Sequence, residues 1–213
     1  LTLTNSASGT AGQIFVANIA NSLVTVAGNT IATNSGASGT KRIYLGNAGP
    51  VTFSGDLTLS NSNTATTGEL YLGNGSASIV SVAGNTTLTN AGVGTTRRTW
   101  FGNAGDISFT GTIDVINSST ATNSEVYFHD DPTSVNSYGG DITLECTSTS
   151  SDGVLFGAAT GSGTLAATRT ISIGGGGFIG SFLTLRNLTQ IGATAQTLTP
   201  TGTVTNMTIY DCN

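Results

Sequence analysis

Val24-Thr25-Val26-Ala27-Gly28-Asn29-Thr30 returns 56 residues later as Val80-Ser81-Val82-Ala83-Gly84-Asn85-Thr86. At the same offset Leu45-Gly46-Asn47-Ala48-Gly49 returns as Phe101-Gly102-Asn103-Ala104-Gly105, with no gap needed between the blocks. The double unit then halves. Ile43-Tyr44-Leu45-Gly46-Asn47 matches Leu70-Tyr71-Leu72-Gly73-Asn74 after 27 residues, and that block matches Thr99-Trp100-Phe101-Gly102-Asn103 after 29. Self-similarity at this period marks an architecture in which each unit buries its apolar face only against its neighbours.

Stacking the units gives columns. The first runs Val16, Leu45, Leu72, Phe101, Phe128, Phe156 and Leu185, with Ile14, Ile43, Leu70, Thr99, Val126, Val154 and Leu183 two residues earlier. A second set is Val24/Val26, Val51/Phe53, Val80/Val82 and Ile107/Phe109; a third is Leu1/Leu3, Leu57/Leu59, Ile113/Val115, Ile142/Leu144 and Ile171/Ile173. Amide columns stand beside them: Asn18, Asn47, Asn74 and Asn103, closing with Asp130, and Asn5, Asn34, Asn61, Asn90 and Asn117. Each unit thus holds three short strands that alternate with period two and are separated by Gly and Asn corners. The pattern predicts a right-handed three-sided parallel β-helix, a β-solenoid of about seven coils. At a coil spacing of ~4.8 Å, seven coils make a rod roughly 34 Å long. Residues 1–173 are expected to form the coils, and 174–213 a Gly-rich break followed by a terminal coil, cap or assembly segment.

Composition narrows the function. Charged residues make up 8% of the 213, and the net charge is −5, against roughly 25% charged in ordinary soluble domains. Six Lys and Arg residues cannot form the basic surface that nucleic acid requires. No run of apolar residues is long enough to span a bilayer as a helix. A surface solvated by hydroxyls and amides points outside the cell. Leu1 stands where a start methionine would, so a processed or truncated form is expected.

With its Thr/Ser/Asn/Gly-rich coils and motifs such as Gly46-Asn47-Ala48-Gly49 and Phe53-Ser54-Gly55-Asp56-Leu57-Thr58-Leu59, the chain resembles bacterial extracellular β-solenoid surface proteins. These are adhesins, autotransporter passengers and filament-forming repeat proteins. The resemblance rests on repeat style and covers nearly the whole chain. It implies secretion and work at the cell surface, and it carries over no site residues.

If Ile43 and Leu45 face inward, Arg42 and Tyr44 face outward. One outward column is then a charge ladder, Arg42, Glu69, Arg98 and Glu125, of alternating sign on successive coils. Its structural reading is register and shielding, with each exposed pair worth ~0.2–1 kcal/mol. The adjacent column, Phe15, Tyr44, Tyr71, Trp100 and Tyr127 followed by Leu155, is either a stack of rings sheltering the sheet, an interface, or a glycan-binding stripe.

His129-Asp130-Asp131 is the most enzyme-like cluster, and Asp-Pro turn chemistry with Pro132 accounts for it without catalysis. We expect no catalytic residue, cofactor or metal. Thr2, Ile31, Thr58, Thr87 and Asp114 form an outward column too interrupted for a regular Thr array. Cys146 and Cys212 are expected to pair and pin the tail. The expectation is a non-enzymatic extracellular structural or adhesive protein, a subunit or segment of a surface filament or adhesin. Its expected partners are copies of itself, other surface proteins or glycans. The alternatives are a β-helix that binds or cleaves polysaccharide through the aromatic stripe, and, as a minor one, ice binding.

Overall fold

A computed structural model of the chain describes residues 1–148, 152–157, 161–192, 198–200 and 203–213. The described residues form parallel strands wound into a β-solenoid of about seven turns, with no helix among them. Three walls recur in every turn. Wall A consists of Thr2–Asn5, Thr30–Asn34, Leu57–Asn61, Thr86–Asn90, Ile113–Asn117 and Ile142–Cys146, then the start of Ile171–Arg186. Wall B consists of Ala11–Val16, Thr40–Leu45, Thr67–Leu72, Thr96–Phe101, Asn123–Phe128 and Asp152–Phe156, the end of Ile171–Arg186, and Val204–Tyr210. Wall C is narrower: Val24–Val26, Val51–Phe53, Ile79–Val82, Asp106–Phe109, Val135–Tyr138, Ser162–Leu165 and Leu188–Gln190. The turns therefore begin near residues 1, 30, 57, 86, 113, 142 and 171, and equivalent residues of successive turns pair directly.

The expected columns fill the interior. Ile43, Leu45, Leu70, Leu72, Val126 and Phe128 of wall B are fully buried against Leu57, Leu88 and Val115 of wall A and Val51, Phe53 and Val80 of wall C. Phe101, Phe128 and Phe156 stack along the axis at 4.7 and 4.2 Å between centroids. This continuous apolar column is the main driving force for closing the coil.

Corners follow from local chemistry. The chain leaves wall B through a left-handed residue in turn after turn: Gly46 (φ 74°), Gly73 (68°), Gly102 (79°) and Gly157 (71°). Glycine suits this position because a Cβ is disfavoured there. His129 occupies the equivalent site at φ 42°. At the A–B corner, an inner amide ladder runs forward along the rod. Asn34 donates to Asn61 (3.1 Å), Asn61 to Asn90 (3.0 Å) and Asn90 to Asn117 (3.0 Å). After wall B, an outer ladder runs backward: Asn47 donates to Asn18 (2.6 Å), Asn74 to Asn47 (2.9 Å) and Asn103 to Asn74 (3.0 Å). A third ladder, not read from the sequence, closes the C–A corner. There Asn29, Asp56, Asn85 and Asp141 each accept a backbone N–H from the next turn at 2.9–3.0 Å.

Two expectations change. Gly174–Gly177 does not interrupt the solenoid: it lies within the single strand Ile171–Arg186, which carries wall A around into wall B with a shift of register. The pairing of Cys146 with Cys212 is not formed. Cys146 is buried at the end of a wall-A strand, registered between Asn117 and Phe178, whereas Cys212 follows the last wall-B strand and points its Sγ at Tyr210 O (3.5 Å). The two thiols occupy different corners of the prism.

Candidate functional site

Wall B carries the chemistry that faces outward. Its strands alternate, so Lys41, Ile43 and Leu45 point in while Arg42 and Tyr44 point out. The predicted aromatic column forms one stack. Phe15 lies on Tyr44 (centroids 4.7 Å, 4° between planes), Tyr44 on Tyr71 (4.7 Å, 10°), Tyr71 on Trp100 (4.4 Å, 1°) and Trp100 on Tyr127 (5.5 Å, 12°). Near-parallel planes one turn apart mean that each inner ring gives both faces to its neighbours. Solvent meets ring edges, and Trp100 is only 8% exposed.

The charge ladder resolves into two ion pairs. Arg42 Nε bonds Glu69, and Arg98 Nε bonds Glu125. Glu69 reaches Arg98 only as a longer-range attraction. Both carboxylates are nearly buried beneath their arginines and the rings, Glu125 with a side chain 4% exposed. Burial works against the Arg42 and Arg98 charges, but the bonded carboxylates more than offset it and hold both guanidinium groups above their ordinary values. Burial, reinforced by the adjacent carboxylates, pushes the Tyr71 and Tyr127 phenols well above the usual tyrosine range. Burial pushes the Asp130 carboxyl above the usual carboxylate range, and the nearby Trp100 indole N–H opposes that shift.

Two cations that the sequence reading passed over lie inside the rod. Lys41 and Arg97 are fully buried at the A–B corner, and among the described residues neither has a carboxylate partner there. Lys41 Nζ donates to Gly9 O (2.6 Å) and to Ser38 O. Arg97 donates to the carbonyls of Asn63 (3.0 Å), Ala65, Val93 and Thr96. Burial lowers Arg97 to about 10, which leaves it charged at neutral pH. The residues registered with them are Gly12, Gly68 and Ser124. Above Gly68 the corner is filled instead by Asn63, which bonds Asn61 Oδ1 (2.8 Å). The signal was parity: positions 41 and 97 precede inward-facing residues by two.

A second polar group lies in the core of the next turn. His129 Nε2 faces Arg186 O (3.1 Å), which can only accept, so Nε2 carries the proton and Nδ1 accepts from the Tyr138 hydroxyl (2.9 Å). Asn136 donates to Tyr138 Oη (3.2 Å) and Phe101 O (2.8 Å). Burial lowers His129 to about 4, so it is neutral at pH 7. Asp131 accepts from Thr133 N (2.9 Å) and Thr133 Oγ1 (2.7 Å), the Asx turn expected there. His129 turns inward, away from the half-buried Asp131, and among the described residues no group of three or more His, Cys, Asp or Glu could hold a metal ion.

The other walls are hydroxylated. Thr2, Ile31, Thr58, Thr87 and Asp114 are in register on wall A, as expected. Wall C carries an unbroken outward column that the sequence reading missed: Thr25, Thr52, Ser81, Ser108, Ser137, Thr164 and Thr189. Ser108, Ser137, Thr164, Arg169 and Ile191 line a shallow hollow of about 360 Å³ there. Compared with family models, curated proteins and solved structures, the chain matches none.

Proposed function

We propose that the chain is a rod segment of an extracellular surface filament or adhesin, in which the solenoid itself is the working part. The observation that carries this reading is the use wall B makes of its groups. Its rings are stacked on one another and its charges are paired with one another, so both serve the rigidity of the rod. A sugar ring binds an aromatic ring by lying on its face, and the inner faces here are occupied. The stripe therefore favours a structural role over the glycan-binding one. The low charge and the hydroxylated walls A and C support an extracellular setting.

Assembly would use the edge of the first turn. Thr2–Asn5, Ala11–Val16 and Val24–Val26 each pair on one side only, and Leu3, Ile14, Val16, Val24 and Val26 are only partly covered. Such an edge accepts a further parallel coil, from a preceding stretch of chain or from another copy, through backbone hydrogen bonds and apolar contact. Negative-stain electron microscopy of the purified chain tests the reading. Filaments with an axial period near ~34 Å, the height of seven stacked coils, are the expected result. Single short rods at high protein concentration would overturn stacking between copies.

A further inference from the structure

We propose that Tyr44, Tyr71, Trp100 and Tyr127 form a redox-active site, a ladder that captures an oxidising equivalent at the rod surface and shares it among four rings. Tryptophan and tyrosine are among the side chains most readily oxidised by one electron. Here four of them are consecutive, with centroids 4.4–5.5 Å apart and planes within 12°. Overlapping π faces at these distances allow an electron to pass between rings without any movement of the chain. The ladder is closed at both ends. Phe15 stacks on Tyr44, Leu155 is registered beside Tyr127, and neither is oxidised under conditions that oxidise a phenol.

Oxidising a phenol or an indole at neutral pH also requires somewhere for a proton to go, and that is the second observation. Glu69 shares the outward face of its strand with Tyr71, two positions on, Glu125 does so with Tyr127, and Asp130 lies near the Trp100 indole. Glu69 and Glu125 are nearly buried and fixed by Arg42 and Arg98.

An outer-sphere one-electron oxidant takes an electron from Trp100, and the indole proton moves to Asp130, leaving a neutral indolyl radical. An electron then passes from Tyr71 or Tyr127 to the indolyl radical. The phenolic proton moves to Glu69 or Glu125, and the indole nitrogen recovers its proton from Asp130. No bond between heavy atoms forms or breaks. A small reductant of the thiol or ascorbate class gives one electron to the phenoxyl radical, the phenol takes its proton back from Glu69 or Glu125, and the reductant's own proton passes to solvent, which restores the ladder.

The chain has a single tryptophan, which makes the test direct. Pulse radiolysis at neutral pH with azide radical, which oxidises indole in preference to phenol, places the first radical on Trp100. The indolyl absorption should decay with first-order kinetics independent of protein concentration while a phenoxyl absorption grows in equal amount. Tyr71→Phe combined with Tyr127→Phe keeps the stack and should slow the transfer by an order of magnitude. Tyr210→Phe, outside the ladder, should leave it unchanged. Circular dichroism of the variants checks that the solenoid is intact. Decay of the indolyl radical only by second-order encounter, or an unchanged rate in the folded double variant, would overturn the proposal.

Discussion

The turn of residues 86–112 and the turn of residues 113–141 follow one backbone path through walls A and B, the second then taking two more residues to reach wall C, and fill it differently. Their wall-A and wall-B strands pair residue for residue, from Thr86 with Ile113 to Phe101 with Phe128. In the first turn the A–B corner holds Arg97, the left-handed position holds Gly102, and wall C is apolar with Ile107 and Phe109. In the second, the corner is filled by Ser119 and Ser124, bonded to Gly92 O and Asn117 Oδ1 at 2.7 Å, and wall C carries the polar trio His129, Asn136 and Tyr138. The fold therefore specifies how much volume and how many hydrogen bonds each corner must supply, not which residue supplies them. Where a cation fills the corner the loop above it is glycine-rich, as at Gly36 and Gly92; where the loop brings its own side chain, the strand position is small. The 56-residue double period itself arises at the B–C corner, which takes six residues from Leu45 to Val51 and from Phe101 to Ile107 but eight from Leu72 to Val80 and from Phe128 to Asn136, while the A–B corners keep one length.

The sharpest way to break the comparison is Arg97→Ala. It leaves the buried carbonyls of Asn63, Ala65 and Val93 without their donor and should cost about 4 kcal/mol. Arg97→Lys places in that corner the kind of cation that Lys41 supplies two turns earlier, bonded there to Gly9 O, and should recover part of the loss. Denaturant midpoints read both. If Arg97→Ala costs under about 1 kcal/mol, water can replace the guanidinium and the two corners are not equivalent solutions.

A smaller effect distinguishes the polar trio. His129 is lowered to about 4 in the fold against 6.5 in the unfolded chain, so its contribution is intact above pH 6.5 and is lost as the pH falls through 4. The loss should reach roughly 3 kcal/mol once His129 is protonated. The variant His129→Gly, Asn136→Ile, Tyr138→Phe copies the apolar turn and should lack that component. Carboxylates titrate in both proteins, so the difference between their stability–pH curves is the quantity to measure. Identical curves would place His129 in contact with solvent.

The smallest effect concerns the ion pair that joins the two turns. A double-mutant cycle with Arg98→Gln and Glu125→Gln should give a coupling of about 1 kcal/mol or less, because the arginine side chain is about a third exposed. High salt should reduce it. A coupling that is unchanged by salt would mean that the pair is sealed beneath the rings.

Much of this was legible in the sequence because a solenoid translates stacking into repetition. The aliphatic columns, the two asparagine columns and the outward rings could be read directly, since parallel in-register strands place equivalent residues next to one another. The buried cations were not, because a charged side chain in an apolar strand reads as outward unless its parity is followed. Lys41 and Arg97 also have no carboxylate at matching offset to announce them; their partners are backbone carbonyls, which leave no trace in residue identity. His129 was read as part of a turn, which it is, but its inward orientation depends on Tyr138 nine positions on. The glycine run at 174–177 looked like a break because local flexibility is visible in sequence while the strand on either side that bridges it is not.

The corner cations also give the rod a direction of growth. Arg97 satisfies carbonyls of the turn before it, Lys41 does the same for Gly9, and Ser119 for Gly92. Each corner is left incomplete until the following turn arrives to close it. A chain emerging from its amino end can therefore fold turn by turn, each new coil locking the one already made. Slipping back would require reopening a finished corner, so the coils act as a ratchet during folding.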